Sequence, residues 1–163
     1  MSHDTITIEP IAHVVGGRTE PTDDNWGGSQ AIIRIDNGRF DEQSLLGLEE
    51  FSHLEVIFHF HLTDKRDLNV GARRPRNNPD WPAVGAFGHR NMRKLNWLGL
   101  SRCRLVKIDG LDLHVEELDA VDGTPVIDIK PWFGEFGPRG DIRQPEWTTE
   151  MLADYYAHPR TDG

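Results

Sequence analysis

The chain has 163 residues, 18 Lys and Arg against 27 Asp and Glu, a formal charge of −9 and one cysteine, Cys103. That length favours one domain with a core large enough to stand without staples, and a lone cysteine excludes an intrachain disulfide. No run of 18 apolar residues is present to span a membrane, MSHDTITIEP lacks the basic-then-apolar pattern of a secretory leader, and the acidic balance argues against DNA, so a cytoplasmic protein is expected.

The elements follow in chain order. Thr5–Val15 (TITIEPIAHVV) is rich in β-branched residues and predicts a strand, with Pro10 marking an edge or bulge. Gly16–Gly28 predicts a loop, and Ala31–Ile35 a second strand closed by the turn cluster Asp36-Asn37-Gly38. Asp41–Leu48 suits a short helix with Asp41 as cap. In Leu54–Leu62 (LEVIFHFHL), alternation sets Leu54, Val56, Phe58 and Phe60 on one strand face, and Glu55, Ile57, His59 and His61 on the other. Asp64–Pro82 predicts a long polar loop, of the kind that is usually functional or mobile. Val84–Arg90 predicts a strand, and Leu98–Ile108, Asp109-Gly110 and Leu111–Leu118 a hairpin. Asp122-Gly123 predicts a turn, Val126–Lys130 a strand and Glu146–Tyr156 a C-terminal helix. Six or seven strands, two peripheral helices and no strand–helix–strand repeat predict a mainly β fold, a small antiparallel barrel. No Gly-rich fingerprint supports a Rossmann cofactor site.

The charge is unevenly spread. Residues 73–107 hold nine of the 18 basic residues and one acid, Asp80, which points to a local anion site. Within it, GAFGHRNMRKLNWLGLS (residues 85–101) places His89, Arg90, Arg93 and Lys94 together, and Arg73, Arg74 and Arg76 precede them. A guanidinium fork suits carboxylate or phosphate. Trp26, Trp81 and Trp97 lie in loop-like contexts, where they can stack on a purine or pack at loop bases. His53, His59 and His61 offer no evident third and fourth ligand and no cysteine cluster, so no metal is expected. The turn Asp122-Gly-Thr-Pro125 presents backbone donors and acceptors suited to a polar ligand edge such as adenine. Alternation from there sets Val126, Asp128 and Lys130 on one face, with Asp128 and Lys130 either functional or a surface ion pair.

Leu48-Glu-Glu-Phe-Ser-His-Leu54, Val56–His61, Arg73–Arg76, Phe87–Ser101 and Asp122–Pro131 occur in that order. Together they resemble the TsaA-like, YaeB-type family of S-adenosylmethionine-dependent methyltransferases, over roughly residues 6–135. The match in residues 85–101 rests on Phe87, Arg90, Asn96, Gly99, Leu100 and Ser101. The family's prolines are replaced there by Met92, Leu95 and Trp97, and its His-Arg pair by Arg93-Lys94. Its N-terminal Pro-Arg-Gln gives way to Asp24-Asn-Trp26, where Asp23 and Asp24 are expected to repel a phosphate backbone.

The resemblance implies a β-barrel homodimer with cofactor sites near the subunit interface. It implies one domain over residues 1–163, without the extra C-terminal domain of longer members. Cofactor contacts fall at Asn25, Trp26, His61, Leu62, Arg90, Leu100, Asp122, Gly123, Thr124 and Pro125. Asn96 is expected to orient the acceptor and Asp128 to take a proton or hold a loop, with Arg73, Arg76, Arg93, Lys94 and Lys130 as substrate contacts. The implied activity is methylation of the exocyclic amine of a threonylcarbamoyl-modified adenosine beside a tRNA anticodon. Methylation of a small metabolite, or cofactor binding without catalysis, are the alternatives.

Overall fold

A computed structural model describes residues 4–159. Among these, six strands close into an antiparallel barrel: β1 (Ala12–Val15), β2 (Gln30–Ile35), β3 (His53–His59), β4 (Leu98–Asp109), β5 (Asp112–Glu116) and β6 (Pro125–Pro131), in the spatial order β1-β2-β5-β4-β3-β6. β6 pairs back onto β1 through Ala12 with Val126 and His13 with Pro125, so the sheet has no free edge. The barrel expected from strand count and spacing is present.

The inward positions explain its closure. Leu54, Val56 and Phe58 of β3 point inside with Val14, Ile33, Leu113, Val115 and Val126. Each such aliphatic side chain contributes about 1.5–3 kcal/mol on burial. Facing β3, the inward residues of β4 are small: Gly99, Ser101 and Cys103. This leaves room for the Phe58 ring, which lies across the Gly99 backbone. Cys103 is buried, and burial, reinforced by Asp119, pushes its thiol up to about 12. Native protein is therefore expected to react with a disulfide reagent only as fast as it opens, and promptly in denaturant; timed thiol titration checks this.

Five elements differ from the sequence expectation. β3 ends at His59 rather than Leu62: Phe60 N–H still reaches the Trp97 carbonyl at 2.8 Å, but the chain turns at His61 and Leu62, which leave the strand for the mouth. β1 begins at Ala12 rather than Thr5, because Pro10 has no N–H to give and pairing starts when Ile11 N–H reaches the Val126 carbonyl at 2.8 Å. Asp41 caps as expected, accepting from Gln43 N–H at 3.0 Å, but the segment forms two 3₁₀ turns, Glu42–Leu45 and Leu48–Glu50. Val84–Arg90 is not a strand: Val84 makes a single bridge to Arg73, and the chain then tightens into the 3₁₀ turn Ala86–Gly88. The C-terminal helix α1 (Glu146–Met151) stops short of Tyr156. There the chain turns to receive the N–H groups of Asn25, Trp26 and Gly27 on the carbonyls of Asp154, Tyr155 and Ala157. These contacts replace the helical hydrogen bonds that would have continued α1.

Candidate functional site

Strand direction decides where the expected residues meet. β1, β3 and β5 end, and β2, β4 and β6 begin, at one mouth of the barrel. The β1–β2, β3–β4 and β5–β6 connections therefore share that mouth. They carry Asn25 and Trp26, His61 and Leu62, Arg90 and Asn96, and Asp122 to Thr124, with Pro125 and Leu100 on the adjoining strand starts. Residues separated by up to 100 positions in sequence thus converge on one end.

Hydrogen bonds lock two of these segments together. Asp122 N–H donates to the Arg18 carbonyl at 2.7 Å, and its Oδ1 accepts from Gly16 N–H at 2.7 Å. Gly123, at φ +79°, donates to the Val14 carbonyl at 2.8 Å. Arg18, which the sequence reading passed over, lays its guanidinium 4.2 Å from the Trp26 ring centre and donates to the Asp24 carbonyl at 2.8 Å. Its main chain thus holds the Asp122 turn while its side chain holds the Trp26 loop. Trp26 is 3% exposed, and its Nε1 has no hydrogen-bond partner among the described residues. A buried donor in that state carries an unrecovered desolvation cost, and an acceptor would reach it only if the cover over the ring moved.

The C-terminal segment supports the same loop from behind. Tyr155 Oη donates to Asp119 Oδ2 at 2.5 Å, and burial together with that carboxylate pushes the phenol above its ordinary range. Trp81 Nε1 donates to Glu150 Oε2 at 2.7 Å, which ties the β3–β4 loop to α1. Of the three tryptophans considered in the sequence, Trp81 is a loop-to-helix contact, Trp26 is buried under Arg18, and Trp97 lies beneath Lys65 at 5.6 Å.

Arg76 forks onto both carboxylate oxygens of Asp24, at 2.9 and 2.7 Å, with Asp23 3.8 Å from its Nε. Asp23 and Asp24 were expected to repel phosphate; Arg76 pairs with Asp24 and offsets one of the two charges, and its fork is occupied within the chain. Arg73 bridges Val84 through its backbone. His89, also unassigned from sequence, sits 8% exposed with Nε2 3.1 Å from the carbonyl oxygens of both Arg73 and Val84. Two acceptors require that Nε2 carry the proton, so His89 pins the loop. Arg90 is exposed and reaches the Leu100 carbonyl at 3.3 Å. Arg93 and Lys94 are half-buried through backbone bonds to Asn69 and Trp97, and Asn96 is exposed at φ +75°.

Asp128 and Lys130 lie apart from the mouth residues. A bulge at Ile127 pairs Phe58 with Val126 but Ile57 with Asp128. The extra residue reverses the alternation expected for this strand, so Val126 points inward while Asp128 and Lys130 lie on the outer face and Ile129 packs inward. Asp128 Oδ2 is 2.7 Å from Lys130 Nζ, which raises the lysine. The two are a wall ion pair.

His61 approaches the Asp122 turn: a Cβ added at Gly123 would lie 3.7 Å from its Nε2. Desolvation, then His59 and His13, lower its pKa from the usual 6.5, against an opposing pull from Asp122. The unfolded chain therefore binds this proton more readily. The stability that follows is present above the unfolded value and is lost as pH falls through the folded one. A His61→Asn variant should lose less stability than the parent between about pH 7 and about pH 5, as read by urea denaturation. Among the described residues, no group of three or more His, Cys, Asp or Glu is placed to hold a metal ion.

Two open grooves mark the surface. One, about 650 Å³, runs beside Arg18, Thr22, Asp24 and Asn25 at the mouth. The other, about 670 Å³, lies on the wall between His13, Arg34 and Asp112 and contains none of the expected site residues. The mouth groove is lined by the β1–β2 connection and Pro159, and of the expected site residues it holds Asn25 alone.

A family model described as the tRNA-methyltransferase O N-terminal domain matches residues 20–137. The chain is 34% identical over 129 residues to the human tRNA (adenine(37)-N6)-methyltransferase, covering 78% of this chain and 27% of that protein. It is 39% identical over 90 residues to the Escherichia coli protein of the same name, covering 53% and 38%. A protein of Pyrococcus abyssi named a probable S-adenosyl-L-methionine-binding protein is 37% identical over 101 residues, covering 62% and 52%. The fold is similar to a crystal structure of TrmO from Pseudomonas aeruginosa, with a TM-score of 0.72, 22% identity, and 90% and 63% coverage. A second TrmO crystal structure aligns with a TM-score of 0.70 at 26% identity, covering 86% and 64%. The chain thus spans about a quarter of the length of its human relative.

Proposed function

The chain belongs to the tRNA-methyltransferase O N-terminal domain family, and on that premise we propose that it is an S-adenosylmethionine-dependent methyltransferase. Its acceptor in this reading is the exocyclic amine of a threonylcarbamoyl-modified adenosine next to a tRNA anticodon. The observation that carries it is the convergence of all three mouth loops, with the family's segments on each. The likeness to the human and Escherichia coli tRNA (adenine(37)-N6)-methyltransferases supports the acceptor, and that to the probable S-adenosyl-L-methionine-binding protein of Pyrococcus abyssi supports the donor.

Bound S-adenosylmethionine supplies a methyl already activated on a sulfonium. The Trp26 Nε1 donor is unpartnered among the described residues. The Asp122, Gly123 and Thr124 N–H groups, by contrast, are already bound to the carbonyls of Arg18, Val14 and Val121, so the turn from Asp122 to Pro125 offers a ligand acceptors and shape rather than the backbone donors expected from sequence. Asn25, Leu62 and Leu100 complete the expected contacts, and exposed Arg90 offers a fork to a carboxylate. His61, whose pKa is lowered chiefly by desolvation, faces the Asp122 turn and is assigned to the cofactor contacts. Asn96 orients the acceptor amine in this reading. Asp128, already paired with Lys130, is assigned to the wall rather than to proton transfer.

Charge favours an RNA acceptor. The β3–β4 connection, residues 60–97, has eight basic and three acidic residues, whereas residues 36–52 at the opposite end have one basic and five acidic. Such a polarised molecule turns its mouth toward a polyanion. Pairing of Asp24 with Arg76 offsets one of the two acids that favour a small metabolite. We also propose a homodimer: Leu98 and Leu100 are exposed on the outer wall, where β4 pairs with β3 beside Ile57. A cytoplasmic location fits a tRNA substrate.

The test is transfer of a labelled methyl group to tRNA from cells lacking only this modification. Label at adenosine 37 is expected. Label only in a metabolite fraction, or cofactor binding without any transfer, would replace this reading with one of its alternatives.

A further inference from the structure

The β3–β4 connection holds one aromatic side chain that the fold leaves in water. Phe87 is 98% exposed, on the 3₁₀ turn Ala86–Gly88. That turn is braced. Gly88 N–H donates to the Gly85 carbonyl at 2.9 Å and His89 N–H to that of Ala86 at 3.3 Å. The buried His89 ring then fastens the chain to the carbonyls of Arg73 and Val84. The phenyl is therefore projected from a fixed platform, and its exposure gains nothing for the fold. Within the same connection, residues 73–97 carry six cations and one acid, and among the described residues only Arg76 of the six forks onto a carboxylate, that of Asp24. A presented ring and nearby cations are the two parts that hold unpaired nucleic acid, one for a base face and the other for phosphates.

We propose that Phe87 is a stacking platform for an unpaired base of the RNA substrate, an inference that rests on the RNA-methyltransferase reading above. A looped RNA is favoured over a second copy of the chain as occupant. A two-fold contact through this loop would bring its surplus of basic residues against the same surplus in the partner, whereas a polyanion complements it.

The experiment uses the full chain, a fluorescein-labelled anticodon stem-loop RNA, S-adenosylmethionine titration and sedimentation. Phe87→Ala is expected to weaken RNA binding about 5- to 150-fold, the range for loss of one stacked base. Its cofactor affinity and sedimentation should match the parent. Phe87→Trp should restore RNA affinity, and Phe87→Leu, apolar but without a π face, should not. RNA binding by Phe87→Ala equal to that of an active parent would remove Phe87 from the interface and leave the enzyme reading standing. Parental affinity in Phe87→Leu would overturn stacking, and altered sedimentation would assign the ring to a contact between copies. A parent that binds no RNA would bring down the RNA reading, and the stacking role with it.

Discussion

Trp26→Ala is expected to lower stability by about 3–5 kcal/mol, the range for emptying a large buried aromatic site. In a domain of this size that moves the melting temperature on the order of 10 °C. The indole is almost fully buried, and its loss also removes the surface on which Arg18 rests at 4.2 Å. Because the neighbouring backbone carries the strand-like bonds to residues 154–157, the C-terminal segment should loosen with it. Trp26→Phe separates packing from ligand binding. It removes a buried N–H that has no partner among the described residues, so stability should change little. If Nε1 serves the cofactor, affinity for S-adenosylmethionine should nevertheless fall in this variant. Paired thermal melts and calorimetric titrations distinguish the two effects; unchanged affinity in Trp26→Phe would leave Nε1 without a ligand role.

Gly99→Ala is the second large effect, expected to cost about 1–3 kcal/mol through overpacking. A Cβ at position 99 would lie 2.3 Å from Phe58 Cζ and 2.4 Å from its Cε2. Phe58 is itself buried and packed edge-on against Phe60 at 5.1 Å, so its ring cannot move away without disturbing that packing. Chemical denaturation should show the loss, and Phe58→Leu introduced alongside should recover part of it, because the two residues oppose each other across β3 and β4. Strict additivity of the two substitutions would mean that the ring and the glycine do not compete for the same space.

Much of the barrel was legible. Alternation of Leu54, Val56 and Phe58 reports an inward face because side chains in a strand alternate whatever their partners. Asp109-Gly110 and Asp122-Gly123 mark turns because their glycines take the positive φ that a tight reversal requires, +60° and +79°. Val84–Arg90 misled because β-branched and aromatic content is ambiguous without a partner strand, and Gly85 and Gly88 favour the tighter turn. Within the candidate site, the Asp122 turn and the Trp26 loop were visible as segments. Their joint anchor, Arg18, was not, because half of its role is played by a backbone carbonyl that any residue possesses. His89 was legible only as a potential cation, since pinning two carbonyls leaves no mark on local sequence.

By itself the sequence determined the class of fold, the hairpin and turn positions, and the family, because periodicity, glycine placement and ordered motifs are local properties of the chain. Tertiary structure alone decided that three distant loops share one mouth, that Asp24 pairs with Arg76, and that Asp128 lies on the wall beside Lys130. The physical reason is the same in each case. Strand direction, a one-residue bulge and a salt bridge across 52 positions depend on which segments pair in space, and pairing is set by closure of the barrel as a whole.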